Sequence, residues 1–255
     1  MAEPTSPEAA PGAVAVVVPA KDEADRIAAT VEAARAIDGV DLVVVVDDGS
    51  SDRTSDVATA AGATVTRHPR TRGKAAAMET GAELVRVLDG QAGRDPRALL
   101  FLDADLEATA GNAGALVPPV LDGEADMTIA ILPRQRTPGG GRGLVVNLSR
   151  NGIRRLTGFE ATQPLSGQRC LTRAAFEAAR PLAAGFGVET GLTIDLLQQG
   201  FRVREVEVDL HHRVTGTDLR SQLHRGAQYR DVARALAARR LPGLLRRGPG
   251  VPRRR

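Results

Sequence analysis

The sequence predicts an α/β protein built on a mostly parallel sheet, and three observations lead there. Short Val/Leu-rich runs, at Ala13–Val18, Leu42–Val46 and Leu99–Leu102, recur with helix-length amphipathic segments between them, which is the pattern of βαβ units. The runs are apolar throughout and do not alternate, as expected of strands covered on both faces. Each is followed by acidic residues: Asp22-Glu23, Asp47-Asp48, and Asp103-Ala104-Asp105. In open α/β sheets ligands bind beyond the carboxyl ends of the strands, so acids at three exits mark one sheet edge as a candidate site.

The elements follow in order. Residues 1–12 are Pro/Ala/Glu-rich, lack periodicity and read as a disordered tail. Ala13–Val18 is the first strand, expected to stop at Pro19. A helix over Ala24–Ile37 carries the stripe Ile27, Val31, Ala34. After the second strand, Gly49 permits a tight turn, and Ser51 or Asp52 can cap a helix over Arg53–Ala61. Ala63–Thr66 is a third strand and Gly73–Val87 a third helix; polar Gln91–Arg97 leads into the central strand before Asp103. A helix near Gly114–Leu121 and a strand over Met127–Leu132 come next, joined by right-handed crossovers. Leu219–Leu245 reads as an amphipathic helix carrying Leu223, Val232, Leu236 and Leu241 among many arginines.

Composition excludes several classes. Aromatics are 2% of the 255 residues and Trp is absent, so the stacking platforms of single-strand nucleic-acid binders are not available. A single cysteine, Cys170, excludes an internal disulfide and a multi-cysteine zinc site. No apolar run approaches the ~20 residues of a membrane span. The Pro-rich, acidic start lacks a signal peptide's basic and apolar regions, which predicts a cytoplasmic protein. From Arg213 onward the chain has twelve Arg against two Asp. That basic end suits nucleic acid, an anionic membrane surface or mere solubility, and its helix can pack on the domain or on a second copy in a homodimer; with the aromatics so scarce, no nucleic-acid partner is expected.

Hard divalent cations take oxygen ligands, so the Asp103-x-Asp105 pair at a strand exit can hold Mg²⁺ or Mn²⁺ with phosphate oxygens completing the shell. The segment Arg67-His68-Pro69-Arg70-Thr71-Arg72-Gly73-Lys74 brings positive charge to a helix start, where free amides already favour anions, and Lys74 can reach a diphosphate. No G-x-G-x-x-G or G-x-x-x-x-G-K-[ST] follows the first strand, which removes the main support for a dinucleotide-binding or P-loop reading.

Val16-Val17-Val18-Pro19-Ala20-Lys21-Asp22-Glu23, Val46-Asp47-Asp48-Gly49-Ser50-Ser51-Asp52-Arg53-Thr54, Arg72-Gly73-Lys74 and Asp103-Ala104-Asp105 stand in the order and spacing of family 2-like glycosyltransferases. Gln163-Pro164-Leu165-Ser166-Gly167-Gln168, Gly185-Phe186-Gly187-Val188-Glu189-Thr190-Gly191-Leu192 and His211-His212-Arg213 resemble the pattern of glucosyl-3-phosphoglycerate synthases. The resemblance implies a single Rossmann-like domain of the glycosyltransferase-A fold with a C-terminal helical extension. Residues 13–133 would form the nucleotide-sugar-binding half, 134–215 the acceptor-binding half, and 216–255 a basic helix and tail.

By the same resemblance, Pro19, Ala20, Asp22, Glu23, Asp47 and Asp48 border the donor's nucleoside, and Asp103 and Ala104 lie nearby. Lys74 approaches the donor phosphates, and Asp105 with His212 ligates Mg²⁺ or Mn²⁺. Gly140, Gly141, Arg142 and Gly143 resemble an acceptor-phosphate loop. Glu189 holds sugar hydroxyls or takes a proton from the acceptor. The implied reaction moves a sugar, glucose from its UDP ester, to a small phosphorylated acceptor such as 3-phosphoglycerate. Val214 and Gly143-Leu144 depart from the synthase pattern, both on the acceptor side. A polyprenyl-phosphate sugar transferase, a sugar-phosphate nucleotidyltransferase and a non-catalytic nucleotide- or membrane-binding protein are the alternatives.

Overall fold

The computed structural model describes residues 14–133, 142–210 and 219–240. Strands β1 (Val14–Ala20), β2 (Val40–Asp47), β3 (Thr64–Arg67), β4 (Ala98–Phe101), β5 (Met127–Ile131), β6 (Arg169–Leu171) and β7 (Val203–Glu207) form one sheet. Their order is β3-β2-β1-β4-β6-β5-β7. Every pairing is parallel except those of β6, which runs antiparallel between β4 and β5.

The helices are α1 (Ile27–Arg35), α2 (Thr54–Ala60), α3 (Lys74–Gln91), α4 (Pro118–Leu121), α5 (Arg142–Thr157), α6 (Arg173–Ala179), α7 (Val188–Gln198) and α8 (Leu219–Arg239). Successive side chains of a strand point to opposite faces, and β1 is apolar on both. Val14, Val16 and Val18 pack with Ile27, Val31 and Ala34 of α1, and with Ala110, Ala113 and Leu116 of a 3₁₀ segment. Ala15 and Val17 pack with Ala77, Met78 and Val85 of α3 and with Phe176 and Leu192 from α6 and α7. The sheet is thus sandwiched between two helical layers, as the unbroken apolar strands predict.

Four points differ from expectation. β1 runs through Pro19, which pairs in register with Val46. Leu102 N donates to Val17 O on the β4 side, and Asp48 N to Ala20 O on the β2 side. The missing N–H of Pro19 therefore faces the β4 side, beyond the last residue of β4, where no ladder bond is lost. Helix α1 begins at Ile27 and not Ala24, because residues 23–26 form a turn closed by the Arg26–Glu23 pair. The helix expected near Gly114–Leu121 is a 3₁₀ segment, Glu107–Leu116, followed by the short α4, which restarts at Pro118. The fourth point is a strand the sequence reading did not include, β6. With only three residues, it displays no periodicity for a sequence reading to find.

Val232 and Leu236 of α8 are buried against Val145 and Ile153 of α5 and Ile194 of α7. Arg239 clamps the end of α8 to α7 through a bidentate pair with Asp195, at 2.5 and 3.0 Å. Of the four apolar residues expected on α8, Val232 and Leu236 are thus covered inside the protein, and the side chains of Leu223 and Leu241 lie outside the described residues. Among the described residues, no helix is long and apolar enough to cross a membrane.

Candidate active site

The exits of β1 and β2 are stitched together by carboxylates. Asp47 is fully buried and accepts from Ser50 N at 2.7 Å and from the Ser55 hydroxyl. Burial opposes its ionisation, but the bonds from Ser55 and Ser50 and the nearby Arg67 outweigh that and hold its carboxyl below the ordinary range. Asp48 accepts from Arg72 N and Gly73 N, each at 2.8 Å, and pairs with His68 Nδ1 at 2.7 Å. Its carboxyl is also lowered, again against the cost of burial. Asp22 adopts a left-handed φ of 55° and accepts from Ser51 N at 2.7 Å. Asp52 lies one residue ahead of the α2 N-cap, Arg53, and closes a turn by accepting from Thr54 N, while its other oxygen holds Ala24 N, both at 3.0 Å; the cap expected of Ser51 or Asp52 is not made, and the α2 N-cap has no side-chain bond.

The exit of β4 is built differently, because there charged groups face each other. Lys74, the first residue of α3, places Nζ 2.7 Å from Asp103 Oδ1 and 3.1 Å from Glu189 Oε1. Burial disfavours the ammonium, yet the two carboxylates reverse the balance and push it above the ordinary lysine range. About a third of the lysine side chain, 31%, remains exposed. Gln168 Nε2 donates to the other Asp103 oxygen at 2.7 Å. Gly167 lies so close that a Cβ there would sit 2.5 Å from Lys74 Nζ. The cluster therefore joins α3, the β4 exit, the segment before β6 and the first turn of α7.

Beneath it lies Arg169, a residue not singled out in the sequence. Its fully buried guanidinium donates to Ser166 O at 2.8 Å, Glu189 O at 3.0 Å and Thr193 Oγ1 at 2.9 Å. Desolvation lowers its pKa to about 10, with Glu189 and Glu205 opposing the shift. One side chain thus ties the Ser166–Gln168 segment to the Glu189 turn. The available signal was slight: an arginine directly ahead of the apolar pair Cys170-Leu171.

Of the remaining expected residues, Pro19 closes β1 beside Ala20, which is buried, and Ala104 is buried with its carbonyl accepting from Thr30 Oγ1 at 2.9 Å. Asp105 and Glu23, from different strand exits, are close enough to interact. Burial first, then the Asp105 and Asp52 charges, raise the Glu23 carboxyl against the lowering effect of Arg26. Concentrated negative charge of this kind suits a cation. Among the described residues no three His, Cys, Asp or Glu side chains are grouped to hold a metal. The expected protein ligand set was two, Asp105 and His212, and His212 lies outside the described residues, as do Gly140 and Gly141. Arg142 and Gly143, expected in a glycine loop, instead open α5.

Comparison with known proteins finds relatives among sugar transferases. A glucosyl-3-phosphoglycerate synthase of Mycolicibacterium paratuberculosis is 31% identical over 199 residues, 71% of this chain and 59% of that protein. The glycosyltransferase AglJ of Haloferax volcanii is 28% identical over 215 residues, 82% of this chain and 66% of its own length. The chain thus spans about three fifths to two thirds of these two relatives. The crystal structure of glucosyl-3-phosphoglycerate synthase from Mycobacterium tuberculosis with Mn²⁺, uridine diphosphate and phosphoglyceric acid superposes with a TM-score of 0.69 at 29% identity, covering 89% of this chain and 78% of that one. The fold is of the glycosyltransferase-A type seen in that enzyme. Residues 15–177, well over half the chain, match the family described as glycosyl transferase family 2, and the protein belongs to that family of sugar-transferring enzymes.

Proposed function

We propose that the protein transfers glucose from UDP-glucose to a small phosphorylated acceptor, 3-phosphoglycerate or a close analogue. The observation that carries the reading is Lys74, held between Asp103 and Glu189 where both halves of the chain meet at the sheet's carboxyl edge. Breaking the sugar–oxygen bond leaves negative charge on the departing diphosphate. A preformed ammonium at that point stabilises charge that exists fully only in the transition state. Because Asp103 and Gln168 already orient the lysine, little reorganisation is needed when the bond breaks. Glu189 faces the same space and is assigned to holding sugar hydroxyls. Pro19, Ala20, Asp22 and Glu23 border the nucleoside, and Arg142 and Gly143 lie on the acceptor side.

A Mg²⁺ or Mn²⁺ ion held by Asp105 and His212 would add positive charge on the diphosphate oxygens. The relative solved with Mn²⁺, uridine diphosphate and phosphoglyceric acid supports the donor and acceptor classes. The deciding experiment measures nucleoside-diphosphate release from UDP- and GDP-sugars with Mg²⁺ or Mn²⁺, alone and with 3-phosphoglycerate or a polyprenyl phosphate. Stimulation by 3-phosphoglycerate with a UDP-sugar is the expected result. Stimulation by the polyprenyl phosphate alone overturns the acceptor, and turnover of GDP-sugars alone overturns the donor.

A further inference from the structure

We infer that His68 and Asp48 are positioning residues that fix Lys74 on the donor diphosphate, an assignment that rests on the role proposed above for Lys74. Neither side chain is placed to touch a substrate. His68 is 4% exposed and Asp48 6%. An ionised carboxylate only accepts, so His68 Nδ1 carries a proton and donates to Asp48 Oδ1 at 2.7 Å. The other ring nitrogen lies 2.9 Å from the hydroxyl of Thr80, which sits on α3 with Lys74. The imidazole therefore bridges the exit of β2 and the helix that carries the lysine.

Asp48 passes this anchoring on. Its two oxygens take the amides of Arg72 and Gly73, the residues immediately before Lys74. Gly73 has φ +91° and directs the chain into α3. The loop is held from a second side by Gly49, where a Cβ would come within 2.9 Å of the Arg70 and Thr71 backbone. Lys21 Nζ adds a bond to Thr71 Oγ1 at 2.7 Å. The basic segment ahead of α3 thus turns its last amides inward onto a carboxylate. Those amides are spent on aiming the helix start, and Lys74 is left to meet the anion.

The expected consequence is large for so remote a group, since a shift of about 1 Å at a reacting position can cost up to ~100-fold in rate. His68→Phe keeps an aromatic ring, one atom larger than imidazole, and removes both hydrogen bonds. It should lower kcat/KM for UDP-glucose, with Mn²⁺ and 3-phosphoglycerate, by about 10- to 100-fold. His68→Asn, whose amide can still donate to Asp48, should recover most of that loss.

The decisive comparison repeats His68→Phe in a Lys74→Ala background. A residue that acts through Lys74 has little left to lose there, less than about twofold. An equal factor in both backgrounds, or no loss in the wild-type background, overturns the proposal. Amide hydrogen exchange supplies a readout without turnover: the Arg72 and Gly73 amides should exchange faster in His68→Phe, and unchanged exchange also overturns it. If His68→Phe does not fold, Thr80→Val, which removes one of the two ring bonds, carries the same two measurements with smaller factors. Should Lys74→Ala itself leave turnover intact, the role of the lysine fails while faster exchange at Gly73 still establishes the anchor.

Discussion

The carboxyl edge of the sheet contains two kinds of acidic exit. At β1 and β2, Asp22, Asp47 and Asp48 are occupied by backbone amides and hydroxyls of neighbouring loops. At β4, Asp103 faces Lys74 and Gln168, and Glu189 approaches the same lysine from α7. The first kind of exit builds loops, and the second holds a charge ready. Acids that look alike in sequence therefore do different work, and what separates them is whether loop amides or a lysine ammonium meet them. Membership in the family also removes two alternatives, a sugar-phosphate nucleotidyltransferase and a non-catalytic binding protein.

The contrast can be broken at its support, at its charge, at its packing and at its loop side. The largest effect is expected at the support of α7: Arg239→Ala leaves Asp195 buried without its bidentate partner and should cost about 3–5 kcal/mol of stability, read by chemical denaturation. Next comes the charge. Lys74→Ala should lower kcat roughly a hundredfold or more, about 3 kcal/mol, measured by nucleoside-diphosphate release. Asp105→Ala should do the same, and full metal-independent turnover in that variant would remove Asp105 from the metal site.

Gly167→Ala tests packing within the cluster, because the added methyl meets Lys74 Nζ and both Asp103 oxygens. The lysine tip must move, so turnover should fall about tenfold while the melting temperature changes little. If turnover is unchanged, the cluster is looser than its distances indicate. The smallest effect belongs to the loop side. Ser55→Ala removes one bond to Asp47 and should cost about 1 kcal/mol at neutral pH. The folded Asp47 carboxyl lies below its ordinary 3.8, so the stability it contributes is present above that value and is lost as pH falls through the folded one. The difference between Ser55→Ala and wild type should therefore shrink below about pH 4; a difference that persists there would mean Asp47 does not depend on that bond.

How much was legible in the sequence varies with the element. The Val-rich runs of β1 and β2 and the stripe Ile27, Val31, Ala34 announced a two-sided sheet, because burial on both faces demands unbroken apolar strands. The turn ahead of α2 was readable in Gly49 to Asp52 because turns are a local matter, but the cap position was not, since α2 starts one residue later and is capped by Arg53 without a side-chain bond. Boundaries near Pro19 were not, since the tolerance of a missing N–H depends on where the neighbouring strand ends. The reading of α8 as a lipid-binding candidate followed from amphipathicity alone, which cannot say whether the apolar face meets a membrane or α5 and α7. Asp48 was expected beside the nucleoside, and its bonds to Arg72, Gly73 and His68 came from residues 20–25 positions away.

By itself, then, the sequence determined the alternation of strands and helices, the edge on which the acids gather, and the family, because each depends on patterns a few residues long or on motifs kept in order. Tertiary structure alone decided that Lys74 meets Glu189 across more than a hundred residues, that Arg169 is buried beneath them, and that β6 runs antiparallel between β4 and β5. The reason is physical: charge pairing and desolvation act on distance in space, and distance in space is set only when the whole sheet has closed.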